Sequence, residues 1–274
     1  MNTKPKIVVT CDFTEISENA FLHALLIAKK LNAQIDIIHI VEKEKEIEKS
    51  IENLKNFANK FPSEGITLNY IAKVGSIFDE IKNYAFEVNA LFVIMGTHGI
   101  KGMQKLLGSR AIKVIANSFV PFIVVQDKPN TEEYFTKIIL PLDDSIETKE
   151  KLKLCKSFKK YFSSKFYIIT KEYSRSESQM TAKANLLFAK RHLNNIKADF
   201  EVIILDKNVK LAKSLVEKAE ELQANGILIM TTKNPQFTDY IFGTVEEEII
   251  ANTKKIPVIC VNPRIDLKTW SSFY

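Results

Sequence analysis

Residues 90–126 read ALFVIMGTHGIKGMQKLLGSRAIKVIANSFVPFIVVQ. The segment opens with a short apolar run, ALFVIM, and closes with another, VPFIVVQ, and both predict strands. Between them lie a glycine-bearing connection and a helical stretch near 110–117. A connection this long, carrying a helix, joins strands that run parallel rather than a hairpin. Four of the chain's eight glycines fall here, and Gly96, Gly99 and Gly108 frame the connection. Gly96 and Gly99 follow the strand, where glycine permits φ above zero and lets the main chain approach another group closely. Gly108 and Ser109 come just before the helix, whose free amides and dipole favour an anion. Ser109 adds a hydroxyl, as an N-cap or as a phosphate donor. Arg110, Lys101 and Lys105 bring positive charge. Together these residues describe a phosphate cradle.

Working toward the amino terminus, the same alternation continues. KIVVT (6–10) predicts a strand and CDFTEISEN (11–19) a polar turn. AFLHALLIAKKL (20–31) predicts a helix with Phe21, Leu22, Leu25, Leu26 and Ala28 on one face and Lys29 and Lys30 near its carboxyl end. QIDIIHIV is a second strand. EKEKEIEKSIENLKNFANKF is a charged amphipathic helix with Ile47, Ile51, Leu54, Phe57 and Ala58 as its apolar stripe. ITLNYIAKV is a third strand. SIFDEIKNYAFEVN is a third helix, with Ser76 as N-cap and Asp79 in its first turn. Five strands alternating with helices predict a doubly wound parallel sheet. In the order 3-2-1-4-5 the first and fourth strands are neighbours, and a ligand sits where the order reverses. Asp12 follows the first strand at that edge. A carboxylate there accepts hydrogen bonds from ribose hydroxyls or a base amino group; taken alone, without the glycines, it reads rather as a helix-entry cap.

The pattern then repeats. KIILPLDDS (137–145) echoes KIVVTCDFT (6–14). NGILIMTTKN (225–234) echoes ALFVIMGTHG. FGTVEEEIIANTKKIPVICVN (242–262) echoes LGSRAIKVIANSFVPFIVVQ with one inserted residue. The expected organisation is an α/β fold of two tandem five-stranded parallel sheets. Domains are expected at 1–130 and 136–264, with a tail at 265–274. In the second copy, Thr231 and Asn234 align with Gly96 and Gly99, and Pro235, Phe237, Tyr240 and Phe242 crowd the loop. Asp143, Gly243 and Thr244 are kept. The second copy is therefore expected to bind no nucleotide in the manner of the first.

Bulk properties narrow the classes. The 274 residues are 46% hydrophobic and 26% charged, the balance of a soluble globular protein. No stretch reaches the roughly 18 uninterrupted apolar residues of a membrane span. The amino terminus has only a short apolar run, so a cytoplasmic location is expected. The formal charge of +6 is spread over both halves, with no basic stripe, so nucleic acid is not an expected partner. Cys11, Cys155 and Cys260 are scattered and read as reduced, buried thiols. No cysteine–histidine cluster has zinc spacing, so no metal is expected.

These motifs resemble the universal stress protein family, which shares its fold with the adenine-nucleotide α-hydrolases. VVTCDF ends a strand in an aspartate, MGTHG…LLGS matches the family's glycine loop, and ENAFLHALLIAKKLNAQI resembles its first helix and second strand. The resemblance spans essentially the whole chain as a tandem pair. It implies nucleotide contacts at Asp12, Ile40, Met95, Gly96, His98, Gly99, Gly108, Ser109 and Arg110. One departure stands out: the loop Ile100–Leu107 is one residue shorter than the family pattern. The resemblance implies a stress-response protein that binds an ATP-like nucleotide or another small anion in its first domain. It further implies no catalysis beyond slow ATP hydrolysis, since no general base is paired with a nucleophile and no P-loop is present. The alternative is a structural or interaction module whose shortened loop has closed the site. A hydrolase of the wider fold group ranks lowest, because VTCDFTEIS lacks a pyrophosphate loop. The fifth strands, as apolar sheet edges, imply an intramolecular pseudo-dimer, with a further homodimer left open.

Overall fold

A computed structural model of the chain describes residues 4–97, 113–116, 118–130, 133–145, 147–230, 232–233, 240–241 and 244–263. The chain divides into two units, Met1–Tyr134 and Phe135–Tyr274.

The first unit runs β1 (Lys6–Thr10), α1 (Glu15–Leu31), β2 (Gln34–Val41), a 3₁₀ turn (Glu44–Glu46) and α2 (Ile47–Ala58). It continues through β3 (Leu68–Val74), α3 (Ile77–Glu87), β4 (Phe92–Gly96) and β5 (Phe122–Val125). Residues 113–115, between β4 and β5, are helical. Every pairing is parallel and the order is β3-β2-β1-β4-β5. The reversal falls between β1 and β4, as the sequence predicts. Ile7, Val8 and Val9 of β1 and Val93 and Ile94 of β4 are fully buried at the centre of the sheet.

Helix α1 begins at Glu15, five residues earlier than its apolar pattern suggests. The polar run that reads as a turn is the helix start itself: Thr14 is the extended N-cap residue, and Glu15 and Glu18 lie in the first turn, where acidic groups suit the dipole. The buried face carries Phe21, Ala24, Leu25, Ile27, Ala28 and Leu31, whereas Leu22 and Leu26 are only half-buried. Asn32 closes the helix in the left-handed conformation, its amide donating to the Ala28 carbonyl. Ser76 caps α3 as expected, its Oγ accepting from the Phe78 amide at 3.2 Å.

Two buried polar groups brace this unit. Asp36, in the middle of β2, is fully buried. Its carboxylate accepts from Asn69 Nδ2 at 2.6 Å and Tyr84 Oη at 2.9 Å, and Lys6 Nζ lies 3.5 Å away. One carboxylate thus ties β1, β2, β3 and α3. His23, buried on α1, bonds through Nε2 to the Asp127 carbonyl at 2.8 Å and through Nδ1 to the Tyr134 hydroxyl. A carbonyl can only accept, so Nε2 carries the proton and Nδ1 accepts from Tyr134.

The second unit runs β6 (Lys137–Pro141), a 3₁₀ turn (Glu147–Lys149), α4 (Leu152–Phe162), β7 (Lys165–Lys171), α5 (Ser176–Asn195), β8 (Phe200–Leu205) and α6 (Leu211–Glu221). It ends with β9 (Gly226–Met230), α7 (Thr244–Ile250) and β12 (Val258–Val261). Between β9 and α7 a two-residue antiparallel ladder, β10 (Thr232–Lys233) with β11 (Tyr240–Ile241), appears where the sequence suggests only a loop. The main strands are again parallel, in the order β8-β7-β6-β9-β12. This is the order of the first unit repeated.

The pairing registers superimpose the copies residue by residue. Thr10 pairs with Ile38, and Pro141 with Ile169. The Cys11 amide donates to the Ile38 carbonyl at 2.9 Å, and the Leu142 amide to the Ile169 carbonyl at 2.8 Å. On the far side, Gly96 pairs with Val125 and Met230 with Val261. Met230, not Thr231, therefore holds the place of Gly96, one residue from the alignment that the sequence echo suggests. Apolar runs slide past one another in an alignment, whereas the hydrogen-bond ladder fixes the register.

Candidate functional site

The site grows from the point where β1 leaves the sheet. After Cys11 the chain turns through Phe13, held at φ +65°. Asp12 shapes this turn: its Oδ1 accepts from the Thr14 amide at 3.1 Å and the Thr14 hydroxyl at 2.5 Å. The side chain is exposed, and among the described residues Oδ2 has no bond. Asp12 is thus both the entry cap that its position suggests and a carboxylate with one oxygen to spare.

Ile40 lies beyond the end of β1. Alternate residues of a parallel strand send their amide and carbonyl toward the same neighbour. Ile38 bonds the β1 side, so Ile40 faces it too, where β1 has already turned away at Asp12. Among the described residues no hydrogen bond joins the Ile40 main chain to that side. An N–H donor and a C=O acceptor therefore stand beside the Asp12 carboxylate.

His39 was not anticipated. Its Nδ1 lies 2.7 Å from the Cys11 carbonyl and must donate to it, which leaves Nε2 as the acceptor in the neutral ring. Phe13 packs on the imidazole with ring centroids 4.6 Å apart. The sequence signal was faint: a single histidine in the isoleucine-rich strand IDIIHIV.

Gly96 ends β4 without a positive φ. A Cβ there would lie 2.4 Å from the Ile16 carbonyl oxygen and 2.5 Å from Ile16 Cγ2. The expected freedom to take positive φ is not what this glycine provides. It lets the first turn of α1 press against the sheet edge. In the second unit Met230 occupies that place, and α4 begins only at Leu152, after a separate 3₁₀ turn.

These elements enclose a cavity of about 260 Å³. Asp12, His39 and Ile40 form its polar side, Met95 and Gly96 its sheet side, and Ile16, Ile77, Ile81 and Val114 its apolar walls. Four of the nine expected contacts, Asp12, Ile40, Met95 and Gly96, thus meet in one cavity. His98, Gly99, Gly108, Ser109 and Arg110, with Lys101 and Lys105, lie outside the described residues. Cys11 also lines the cavity; burial pushes its thiol up to about 11, and Sγ contacts Ser17 Oγ at 3.8 Å. A thiol so protonated is a poor nucleophile. Cys155 and Cys260 are likewise buried and free. Among the described residues no group of three or more His, Cys, Asp or Glu is arranged to hold a metal.

The second copy repeats the turn and changes its surroundings. Asp143 Oδ1 accepts from the Ser145 amide at 3.0 Å and the Ser145 hydroxyl at 2.6 Å. Buried Asn185 of α5 then donates to the carbonyls of Asp143 and Ser145, at 2.9 and 2.8 Å, clamping the loop from within. Of the residues expected to crowd this site, Pro235, Phe237 and Phe242 lie outside the described residues, as do Thr231, Asn234 and Gly243; for Tyr240 only the backbone is described.

The fold is a doubly wound α/β module whose switch point, the place where such sheets hold ligands, carries a carboxylate and main-chain groups without a partner among the described residues. Residues 5–126 match the Universal stress protein family. A universal stress protein of Methanocaldococcus jannaschii is 28% identical over 151 residues, spanning 48% of this chain and 86% of that protein. The fold of the whole chain matches the crystal structure of a universal stress protein from Archaeoglobus fulgidus, with TM-score 0.75, 22% identity, and coverage of 95% of this chain and 99% of that one. A further universal stress protein from Archaeoglobus fulgidus, solved in complex with dAMP, covers 46% of this chain and 97% of its own at 21% identity and TM-score 0.36. The first unit thus matches the universal stress protein family, and the second unit repeats its strand order. Among the described residues no helix is long and apolar enough to cross a membrane.

Proposed function

We propose that the first unit binds an adenine nucleotide, ATP or a close relative, as a non-catalytic stress-response module. The observation that carries this is the pairing of the unbonded Ile40 main chain with Asp12 Oδ2 in one apolar-walled cavity. An adenine ring offers what this edge requires: a ring nitrogen to accept from an N–H, and an exocyclic amine to donate to a carbonyl or carboxylate. Ile16, Ile77, Ile81 and Val114 suit the faces of a flat heterocycle. The cavity's size fits a base and sugar, and the phosphates fall to the segment Gly99–Arg110, whose glycines, Ser109 and Arg110 have the chemistry to hold them.

Catalysis finds little support. The described cavity pairs no nucleophile with a base: the Cys11 thiol is held protonated, and the His39 Nδ1–H is engaged by a carbonyl. ATP turnover is therefore expected to be slow or nil. The second unit, with Met230 in place of Gly96 and its loop clamped by Asn185, is assigned no nucleotide.

Equilibrium dialysis with ATP, ADP and AMP tests the reading. Saturable binding of one nucleotide per chain is expected, weakened about tenfold or more in Asp12→Ala. If none of the three binds saturably, the first unit is a closed structural module and the proposal fails.

A further inference from the structure

We propose that the outer face of α4 and α5 in the second unit docks on the surface of an anionic phospholipid bilayer. Helix α5 is apolar on two opposite sides. Its inner side buries Ala182, Asn185, Ala189 and Leu193. On the outer side Met180 is 71% exposed and Leu187 51%, with Phe188 beside them at 48%. Met180, Ala184, Leu187 and Arg191 are all exposed and recur at i, i+4, i+7 and i+11, which makes one outward ridge.

Charge indicates the partner. Counted by halves, the chain's charge is even; counted by element, it is not. From Lys149 to Lys197 stand thirteen Lys and Arg against three Glu and no Asp. That stretch exceeds the formal +6 of the whole chain, so the remaining residues are net acidic. Right-handed crossovers from β6 to β7 to β8 set α4 and α5 on one face of the second sheet, where the two helices pack side by side. On α4, Lys153, Lys156 and Lys160 recur at i, i+3 and i+7, away from the buried Leu154, Phe158 and Phe162. On α5, Lys183, Lys190 and Arg191 are exposed along the apolar ridge. Among the described residues no carboxylate pairs with these three, whereas on α6 Lys213 pairs with Glu217 and Lys218 with Glu221. Lys149 Nζ stands 5.6 Å from the centroid of the exposed Phe188 ring.

The first copy lacks this face. Helix α2 holds the place of α5 there, yet it mixes Glu48, Lys49, Glu52 and Lys55, and its Ile47 and Ile51 are half-buried. The duplicated fold therefore requires neither the ridge nor the lysines.

The pattern selects among occupants. A second copy of the chain would set basic against basic. A nucleic acid would meet the lysines but leave Met180, Leu187 and Phe188 against a polar backbone. An acidic helix would follow the α5 ridge and leave the lysines of α4 unmatched. An anionic bilayer satisfies both helices: headgroups take the two rows of cations, and the apolar side chains enter the boundary between headgroups and acyl chains.

The experiment is co-sedimentation of the full chain with vesicles of equal parts phosphatidylglycerol and phosphatidylcholine, and with vesicles of phosphatidylcholine alone. Binding to the anionic vesicles is expected, at least about tenfold stronger than to the neutral ones and weakened by salt. Lys183→Glu/Lys190→Glu should weaken it about tenfold or more, and Leu187→Glu about fivefold or more. Both variants change exposed side chains and should melt within a few degrees of wild type. Lys49→Glu/Lys55→Glu, the same charge change on α2, should leave vesicle binding largely intact. ATP binding should be the same in all of these proteins, which separates this surface from the cavity of the first unit. The proposal is overturned if anionic vesicles bind no better than neutral ones, or if Leu187→Glu binds as wild type does. It is equally overturned if the α2 variant loses as much as the α5 variant, since net charge rather than this face would then govern. Binding of polyglutamate or duplex DNA without binding of vesicles would give the face to another partner and overturn it too.

Discussion

His23 makes the stability of this protein depend on pH in a defined window. The ring is 3% exposed, its Nε2–H is given to the Asp127 carbonyl, and its Nδ1 accepts from Tyr134. Protonating Nδ1 would turn that acceptor into a donor facing a hydroxyl, in a buried setting. Burial accordingly lowers the His23 pKa from 6.5 to about 4. The sign follows from linkage. The unfolded chain takes up the proton as pH falls through 6.5, the folded chain only near 4, so stability is whole above 6.5 and is lost between 6.5 and 4. At about 1.4 kcal/mol per pKa unit, His23 alone removes about 2 kcal/mol between pH 7 and pH 5. Urea unfolding of wild type and His23→Gln at both pH values isolates this contribution, because carboxylate effects are common to the two proteins. The variant is expected to be less stable at pH 7 but to lose about 2 kcal/mol less on going to pH 5. Equal losses in the two proteins, or a His23 ring titrating near 6.5 by NMR, would falsify the assignment.

Three other outcomes are expected. Gly96→Ala should cost about 1–3 kcal/mol in urea unfolding, because its Cβ meets the Ile16 backbone; a neutral effect would mean that α1 can withdraw. Tyr84→Phe should cost about 1–3 kcal/mol, leaving part of the buried Asp36 carboxylate unsatisfied, and an unchanged denaturation midpoint would contradict this. Asp143→Ala should leave ATP binding by the full chain unchanged whereas Asp12→Ala weakens it; dialysis of the pair distinguishes the two copies.

The strands and the duplication were readable because apolar β-branched runs alternate with amphipathic stretches, and burial on both faces demands that pattern. What escaped was local. The start of α1 was hidden because Asp12, Thr14, Glu15 and Glu18 are polar, as turns and helix entries both are; their spacing toward the dipole was the available signal. Gly96 was placed correctly at the sheet edge but for another reason, since sequence does not separate a glycine needed for φ from one needed for close approach. The one-residue slip at Met230 arose because ILIM and FVIM match in composition while the ladder fixes only one register. His39 carries no motif at all: it acquires meaning from what the fold places around it.

The tie between Tyr84 and Asp36 bears on which molecules the first cavity can admit. Ile77 and Ile81, which wall that cavity, ride on the same helix as Tyr84. To widen the slot by rolling, α3 would have to give up the Tyr84–Asp36 bond, at a cost of about 1–3 kcal/mol. The gauge between Ile77, Ile81 and the sheet is therefore coupled to a bond buried beneath it, so the fit of any guest and the stability of the unit are set by the same helix position.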